Sequence, residues 1–264
     1  MALVDGATIR TLDGSVHAAW SDASRGDLRP IGHGPGGQGP EGHGPEGHSP
    51  GDASALTRFA ADLAEATSTG IGDVAWVTQV HGSDVVVVDL LPGTSGVVCR
   101  NLGEHDALVT ASAGTALCVL TADCAPIALS SPEGICGAVH AGWRGLAAGV
   151  VEAAVAAMGT LGATGVTAAL GPCIHAPCYA FAPVDLAPVE AAYGPTVRGT
   201  TTDGRPALDL VAGVTAAVTG AGARMADGVD ACTACGVGHF SHRARADTGR
   251  QAMLVWAAAP GTGS

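Results

Sequence analysis

Three residues that bind metals well, His81, Cys124 and His140, stand where apolar runs give out: Gln79-Val80-His81-Gly82, Ala122-Asp123-Cys124 and Val139-His140-Ala141-Gly142. Cys124 follows His81 by 43 positions, and His140 follows Cys124 by 16. Those separations are too long for one zinc-finger loop and suit three strand ends that meet at a point. One thiolate and two imidazoles would leave the fourth position of a tetrahedral zinc open to water, the arrangement of a catalytic ion rather than a structural one. Such an ion can bring the pKa of its water toward neutrality and generate hydroxide. Gly82 and Gly142 let backbone approach a ligand with no side chain in the way. Asp123, beside Cys124, is placed to orient a histidine or to carry a proton. The plainer alternative is that Cys124 is a small buried hydrophobe and His81 a loop histidine bonded to backbone.

Other residues offer competing chemistry. His105, His175, His239, His242, Cys173, Cys178, Cys232 and Cys235 are further metal-ligand candidates. Cys232-Thr233-Ala234-Cys235 is a CxxC, either half of a structural zinc site or a redox pair. No second pair has that spacing, so Cys235 reads as incidental. Cys173-Ile174-His175 is either a thiolate nucleophile with a nearby base or a thiol packed in a turn. The chain has only 12 Lys and Arg, so Arg144, next to a presumed ligand segment, stands out, as do Arg243 and Arg250. Arginine forks grip phosphate bidentately. Arg198 and Arg245 read as surface charges or salt-bridge partners.

The elements that must position these groups come from a chain of 264 residues, 47% hydrophobic but only 3% aromatic. The core must therefore be built of Val, Ala and Leu. Residues 16–20, 74–80, 85–88, 107–110, 116–120, 126–129, 135–139 and 166–170 read as strands, with His81 in the bend between the second and third. Residues 55–66, 146–158, 186–193 and 208–218 read as helices; Val229 with its neighbours and residues 253–258 read as late strands. Strands cluster before most of the helices, which favours an α+β architecture. No composition shift marks a second domain. A Gly/Pro/His-rich run at 32–51, with Gly-Pro-Glu-Gly-His repeated at 39–43 and 44–48, cannot bury apolar area and reads as a mobile surface insertion.

The formal net charge of −12 argues against nucleic acid or an anionic membrane surface as partner. A small anion in an arginine-lined pocket remains compatible. The N-terminus lacks a signal-peptide pattern and no apolar run is long enough to span a bilayer, which points to the cytoplasm. Without an oxidising compartment, the eight Cys read as free thiols or metal ligands.

Taken in order, Gln79-Val80-His81-Gly82, Asp106-Ala107-Leu108-Val109-Thr110, Thr121-Ala122-Asp123-Cys124-Ala125-Pro126, Val139-His140-Ala141-Gly142-Trp143-Arg144-Gly145, Gly171-Pro172-Cys173-Ile174, Cys178-Tyr179, Cys232-Thr233, Ser241-His242-Arg243 and Thr248-Gly249-Arg250-Gln251 resemble the YfiH-type family. That family has long been labelled multicopper polyphenol oxidoreductase, or laccase, and is now associated with purine nucleosides. The resemblance runs over roughly residues 74–256. It implies a mixed β-sandwich flanked by helices. It implies His81, Cys124 and His140 as ligands of zinc, with copper as the other option. The implied activity is phosphorolysis of adenosine, inosine and methylthioadenosine, giving the free base and ribose or methylthioribose 1-phosphate, with adenosine deamination beside it. Nucleoside and phosphate are then the partners. Asp123 and Cys173 become candidate acids, Cys124 belongs to the reacting centre, and Arg144, Arg243 and Arg250 become phosphate contacts. The family's Asn-Arg on its first helix appears here as Thr57-Arg58, so Arg58 joins the binding candidates. The chain departs from the family pattern in its N-terminal segment, at Ala180 where Glu is usual, and at His242 where Tyr is usual. A multicopper oxidase needs many His, often as His-x-His; this chain has 10 His and no such pair. A cysteine hydrolase using Cys173 or Cys124, such as a peptidoglycan-editing enzyme, and a non-catalytic metal-binding partner are the further alternatives.

Overall fold

Alternation along one strand gives the plan of the molecule. In β14 (Gln251–Ala257), Met253, Val255 and Ala257 join one apolar cluster while Ala252, Leu254 and Trp256 join another, and every residue is buried. A strand buried on both faces needs a layer against each. The computed structural model describes residues 4–30, 54–89 and 97–259. The run at 32–51, with His33, His43 and His48, lies outside the described residues.

The remaining strands are β1 (Ala7–Thr11), β2 (Val16–Ser21), β3 (Asp73–Thr78), β4 (Val85–Val87), β5 (Val98–Glu104), β6 (Ala107–Thr110), β7 (Thr115–Thr121), β8 (Ala125–Ser130), β9 (Cys136–Ala141), β10 (Thr167–Leu170), β11 (Arg198–Thr200), β12 (Pro206–Leu208) and β13 (Arg224–Ala226). One six-stranded sheet runs β1-β2-β14-β7-β3-β5 and a second runs β13-β10-β8-β9-β6-β4; β11 and β12 form a small ribbon. Both large sheets mix parallel and antiparallel neighbours.

The helices are α1 (Ser54–Thr67), α2 (Trp143–Ala147), α3 (Val150–Thr160), α4 (Pro183–Tyr193), α5 (Leu210–Gly220) and α6 (His242–Arg245). Val16, Ala18, Leu117, Val119 and Val255 of the first sheet meet Leu108, Ala128 and Ala138 of the second in the sandwich core. Leu56, Phe59 and Leu63 of α1 cover the outer face of the first sheet, over Val74, Ala116 and Leu254. Leu146, Val150, Met158, Leu186 and Val214, from α2 to α5, cover the outer face of the second, over Val109, Ile127 and Val139. The result is four layers, helix–sheet–sheet–helix, an α+β sandwich of the expected kind.

Several expectations are corrected. The single helix at 146–158 is two, because Gly149 adopts a left-handed conformation (φ 83°) that ends α2 and starts α3. Val229 lies outside any strand; the late strand is β13, which pairs with β10 instead. Strands β1 and β5, like the ribbon strands β11 and β12, lie outside the runs expected to be strands: Ala-Thr-Ile-Arg-Thr and Val-Cys-Arg-Asn-Leu-Gly-Glu carry no clean apolar alternation. The Ala-rich stretch around 252–257 is strand, since its alternate residues fill two different cores.

Candidate metal centre

Three times the chain leaves the first sheet and enters the second at the same end of the sandwich. It does so between β3 and β4, where His81 sits, between β5 and β6, where Asp106 sits, and between β7 and β8, where Asp123 and Cys124 sit. In two of these crossings the backbone enters the left-handed region: His81 has φ 61° and Asp123 φ 95°, values that disfavour residues with a Cβ. Gln79 joins the crossings, donating to Leu120 O (2.7 Å) and accepting from Leu120 N–H (2.9 Å). His140 lies near the end of β9 with the parity of Cys136 and Ala138, which face the other sheet. It therefore enters the inter-sheet space from the second sheet.

One donor atom from each of His81, Cys124 and His140 lies within 4.8 Å of the others. The two imidazoles meet edge to face, centroids 4.9 Å apart. A Cβ on Gly142 would stand 2.6 Å from His81 Nδ1 and 3.1 Å from Cys124 Sγ. Only glycine leaves that space to the donors. The three residues thus fit one soft-to-borderline divalent ion such as zinc.

Asp106 builds the frame around them. Its fully buried carboxylate bonds His140 Nδ1 at 2.7 Å and accepts the amides of His81 (3.0 Å) and Gly82 (2.6 Å). With Nδ1 committed, Nε2 is the nitrogen of His140 left for an ion. Burial works to raise the Asp106 pKa, but the His140 bond and charge and the Gly82 and His81 amides outweigh it, and the value lies below the ordinary one. Burial likewise pushes the Cys124 thiol up; the His140 charge and bond, then His81, bring it down to about 6. Burial would lower His140, yet the Cys124 charge and the Asp106 bond carry it up to about 9.

Among the described residues the Asp123 carboxylate bonds no histidine. It accepts from Thr233 Oγ1 (2.6 Å), Ser241 Oγ (2.7 Å) and the Arg243 amide (2.6 Å). Those bonds fasten the strained crossing to the Thr233 loop and to the start of α6. Cys173 is fully buried in the outer core, and burial, then the Cys232 charge, push its thiol far up.

The arginines separate by their partners. Arg144 is exposed on α2 with its guanidinium 4.3 Å from the Trp143 ring centroid. Trp143 meets Phe181 edge to face (5.5 Å), Phe181 meets Tyr179 likewise (5.1 Å), and Arg243 covers Tyr179 at 5.0 Å. A ladder of three rings is therefore closed at each end by an arginine. Among the described residues neither Arg144 nor Arg243 forms an ion pair, whereas Arg29 pairs with Asp27 and Arg245 with Asp247. Arg250 spends its guanidinium on the carbonyls of Asp247, Thr248 and Gly249. Arg58 is exposed on α1, with no bond, ion pair or ring contact to the centre.

The sequence pointed to the three convergent ligands but gave no role to Asp106, Gln79 or the ring ladder. A carboxylate one residue before an apolar strand was the available signal for Asp106. His105, His175, His239 and His242 belong to neither convergent ligand group among the described residues.

Residues 46–258 match the family described as multi-copper polyphenol oxidoreductase laccase. A Streptomyces coelicolor protein named purine nucleoside phosphorylase is 41% identical over 208 residues, covering 78% of this chain and 84% of that protein. A Mycobacterium bovis protein of the same name is 39% identical over 208 residues, covering 78% and 80%. The crystal structure of a Neisseria meningitidis protein, NMB0706, superposes with a TM-score of 0.70 at 24% identity, covering 97% of this chain and 100% of that one. YlmD from Geobacillus stearothermophilus gives 0.67 at 25% identity, covering 93% of each. With the match spanning most of its length and the same fold in these structures, the chain belongs to the multi-copper polyphenol oxidoreductase laccase family.

Proposed function

We propose that this protein is a zinc-dependent enzyme of purine nucleosides, which cleaves adenosine, inosine and methylthioadenosine with phosphate and also deaminates adenosine. The observation that carries the reading is one cluster of His81, Cys124 and His140 donors beside a ring ladder ended by two guanidiniums that form no ion pair among the described residues. The names of the Streptomyces and Mycobacterium relatives support the substrate class.

In phosphorolysis an oxygen of phosphate forms a bond to C1′ as the bond from C1′ to the purine nitrogen breaks. The electron pair leaves with the base, which is then protonated. Arg144 and Arg243 carry the phosphate, because a dianion needs guanidiniums not already neutralised by carboxylates. The rings of Trp143, Phe181 and Tyr179 supply apolar surface for the base and keep water from it. His81, Cys124 and His140 would hold the zinc ion, which when bound would supply Lewis acidity. Deamination would replace the C6 amine by a water oxygen and release ammonia. Asp123, its oxygens occupied, positions the Cys124 loop, and Cys173 packs; neither is assigned as the proton donor.

Two other readings have specific support. Asp106, His140 and Cys124 are also the orienter, base and nucleophile of a cysteine hydrolase, with the thiol already lowered to about 6. His81 has no task in that scheme but completes a ligand set. A copper phenol oxidase is the reading in the family's description, yet the described residues hold only two convergent ligand groups.

Incubation of the purified protein with adenosine, with and without phosphate, separates them. Adenine formed only with phosphate, and inosine formed in either case, are expected; His140→Ala should lose both. Activity retained in His140→Ala, or phenol oxidation without nucleoside turnover, contradicts the reading.

A further inference from the structure

Cys235, incidental by its spacing, is not isolated in the fold. One sulfur each from Cys178, Cys232 and Cys235 lie within 4.8 Å of one another, and Cys178 and Cys235 are 3.3 Å apart. The short turn Ala176–Cys178 brings one thiol, and the CxxC brings two from 54 and 57 positions further on. All three are free thiols, half-buried or exposed, so an ion can reach them. The amide of His175 donates to Cys232 Sγ (3.4 Å), a bond that favours the thiolate. The Cys173 segment touches both regions through its backbone: Cys173 bridges to Cys232 and the Ile174 amide donates to Asp123 O (2.9 Å), while the buried Cys173 side chain belongs to the core.

We propose that Cys178, Cys232 and Cys235 form a second metal site, separate from the His81–Cys124–His140 centre, which takes one thiophilic d¹⁰ cation, Zn(II) or Cu(I). Three sulfurs select such ions over magnesium or calcium, which want oxygen. Binding releases the thiol protons to solvent and transfers no electron. The ion would act as a clamp between two loops that frame the first centre. Cys178 precedes Tyr179, which lies under Arg243, and the Cys232–Cys235 segment carries Thr233, which donates to Asp123.

The test is metal titration of the full chain, reduced and desalted without oxygen, with metal per chain read by mass spectrometry and cadmium used as a probe of thiolate coordination. Two ions per chain are expected for the native sequence. Cys178→Ser and Cys235→Ala should each bind one, with most of the thiolate-to-cadmium absorption lost. Cys235 is exposed, so its replacement leaves the core intact. His81→Ala/His140→Ala should retain the cysteine-bound ion and that absorption. One ion in the native protein, unchanged by Cys235→Ala, would overturn the proposal. So would native protein isolated with two of these cysteines joined as a disulfide.

Discussion

Gly142 sets the tightest limit in the first centre. A methyl group there would press on His81 Nδ1 at 2.6 Å and Cys124 Sγ at 3.1 Å. Both contacts are shorter than ordinary van der Waals approach, and His81 already carries strained backbone. Gly142→Ala should therefore weaken zinc at the centre by about tenfold or more, through ligand displacement. Zinc affinity by competition with a chromogenic chelator reads this directly; unchanged affinity would mean that the donors do not use that space. Asp106 acts through orientation. Asp106→Asn keeps the shape but replaces one acceptor by a donor facing the His81 and Gly82 amides or His140. Loss of such an orienting carboxylate typically costs about 10–100-fold in metal affinity, and the same chelator competition measures it. Asp106→Glu that restores affinity would show the charge, rather than the geometry, to be what matters.

At the scale of elements, the centre depends on segments fastened to strand ends. Asp27 ties the loop after β2 to the start of β14, accepting from the Arg250 amide (3.0 Å) and from the Arg29 amide and guanidinium. Partial burial works to raise its pKa, but the Arg29 bonds and charge with the Arg250 amide bring it below the ordinary 3.8. A carboxylate lowered by folding stabilises the protein above its unfolded pKa, and that stability is lost as pH falls through the folded value. Asp27→Asn should thus lower stability at neutral pH and flatten the acid limb below about 3.8 in unfolding followed by circular dichroism. An identical acid limb in the two proteins would remove Asp27 from the account. Continuous apolar runs made most interior strands legible, because β3, β7, β8, β9 and β14 are buried on both faces. The edge strands β1 and β5 were hidden, since partly solvated faces tolerate Arg, Asn and Glu. The Gly149 break was hidden because glycine inside an Ala-rich run fits a continuous helix equally well until its φ is known.

Across the whole molecule, the sandwich topology gathers distant residues at one end. The spacing of His81, Cys124 and His140 suggested strand ends meeting, and the fold shows why: two of the crossings between sheets and one strand end share that edge. Which carboxylate serves the histidine was not legible, because Asp106 and Asp123 both neighbour strands, and only the pairing of β6 with β9 sets Asp106 beside His140. The ring ladder was equally hidden; Trp143 and the segment that carries Tyr179 and Phe181 are joined only in space. The most direct test of the central claim is X-ray absorption at the zinc edge on Cys178→Ser/Cys235→Ala protein loaded with one equivalent of zinc. One sulfur at about 2.3 Å and two imidazole nitrogens at about 2.0 Å, with a light atom completing four-coordination, is the predicted shell. A shell without sulfur, or without histidine scattering, would contradict it.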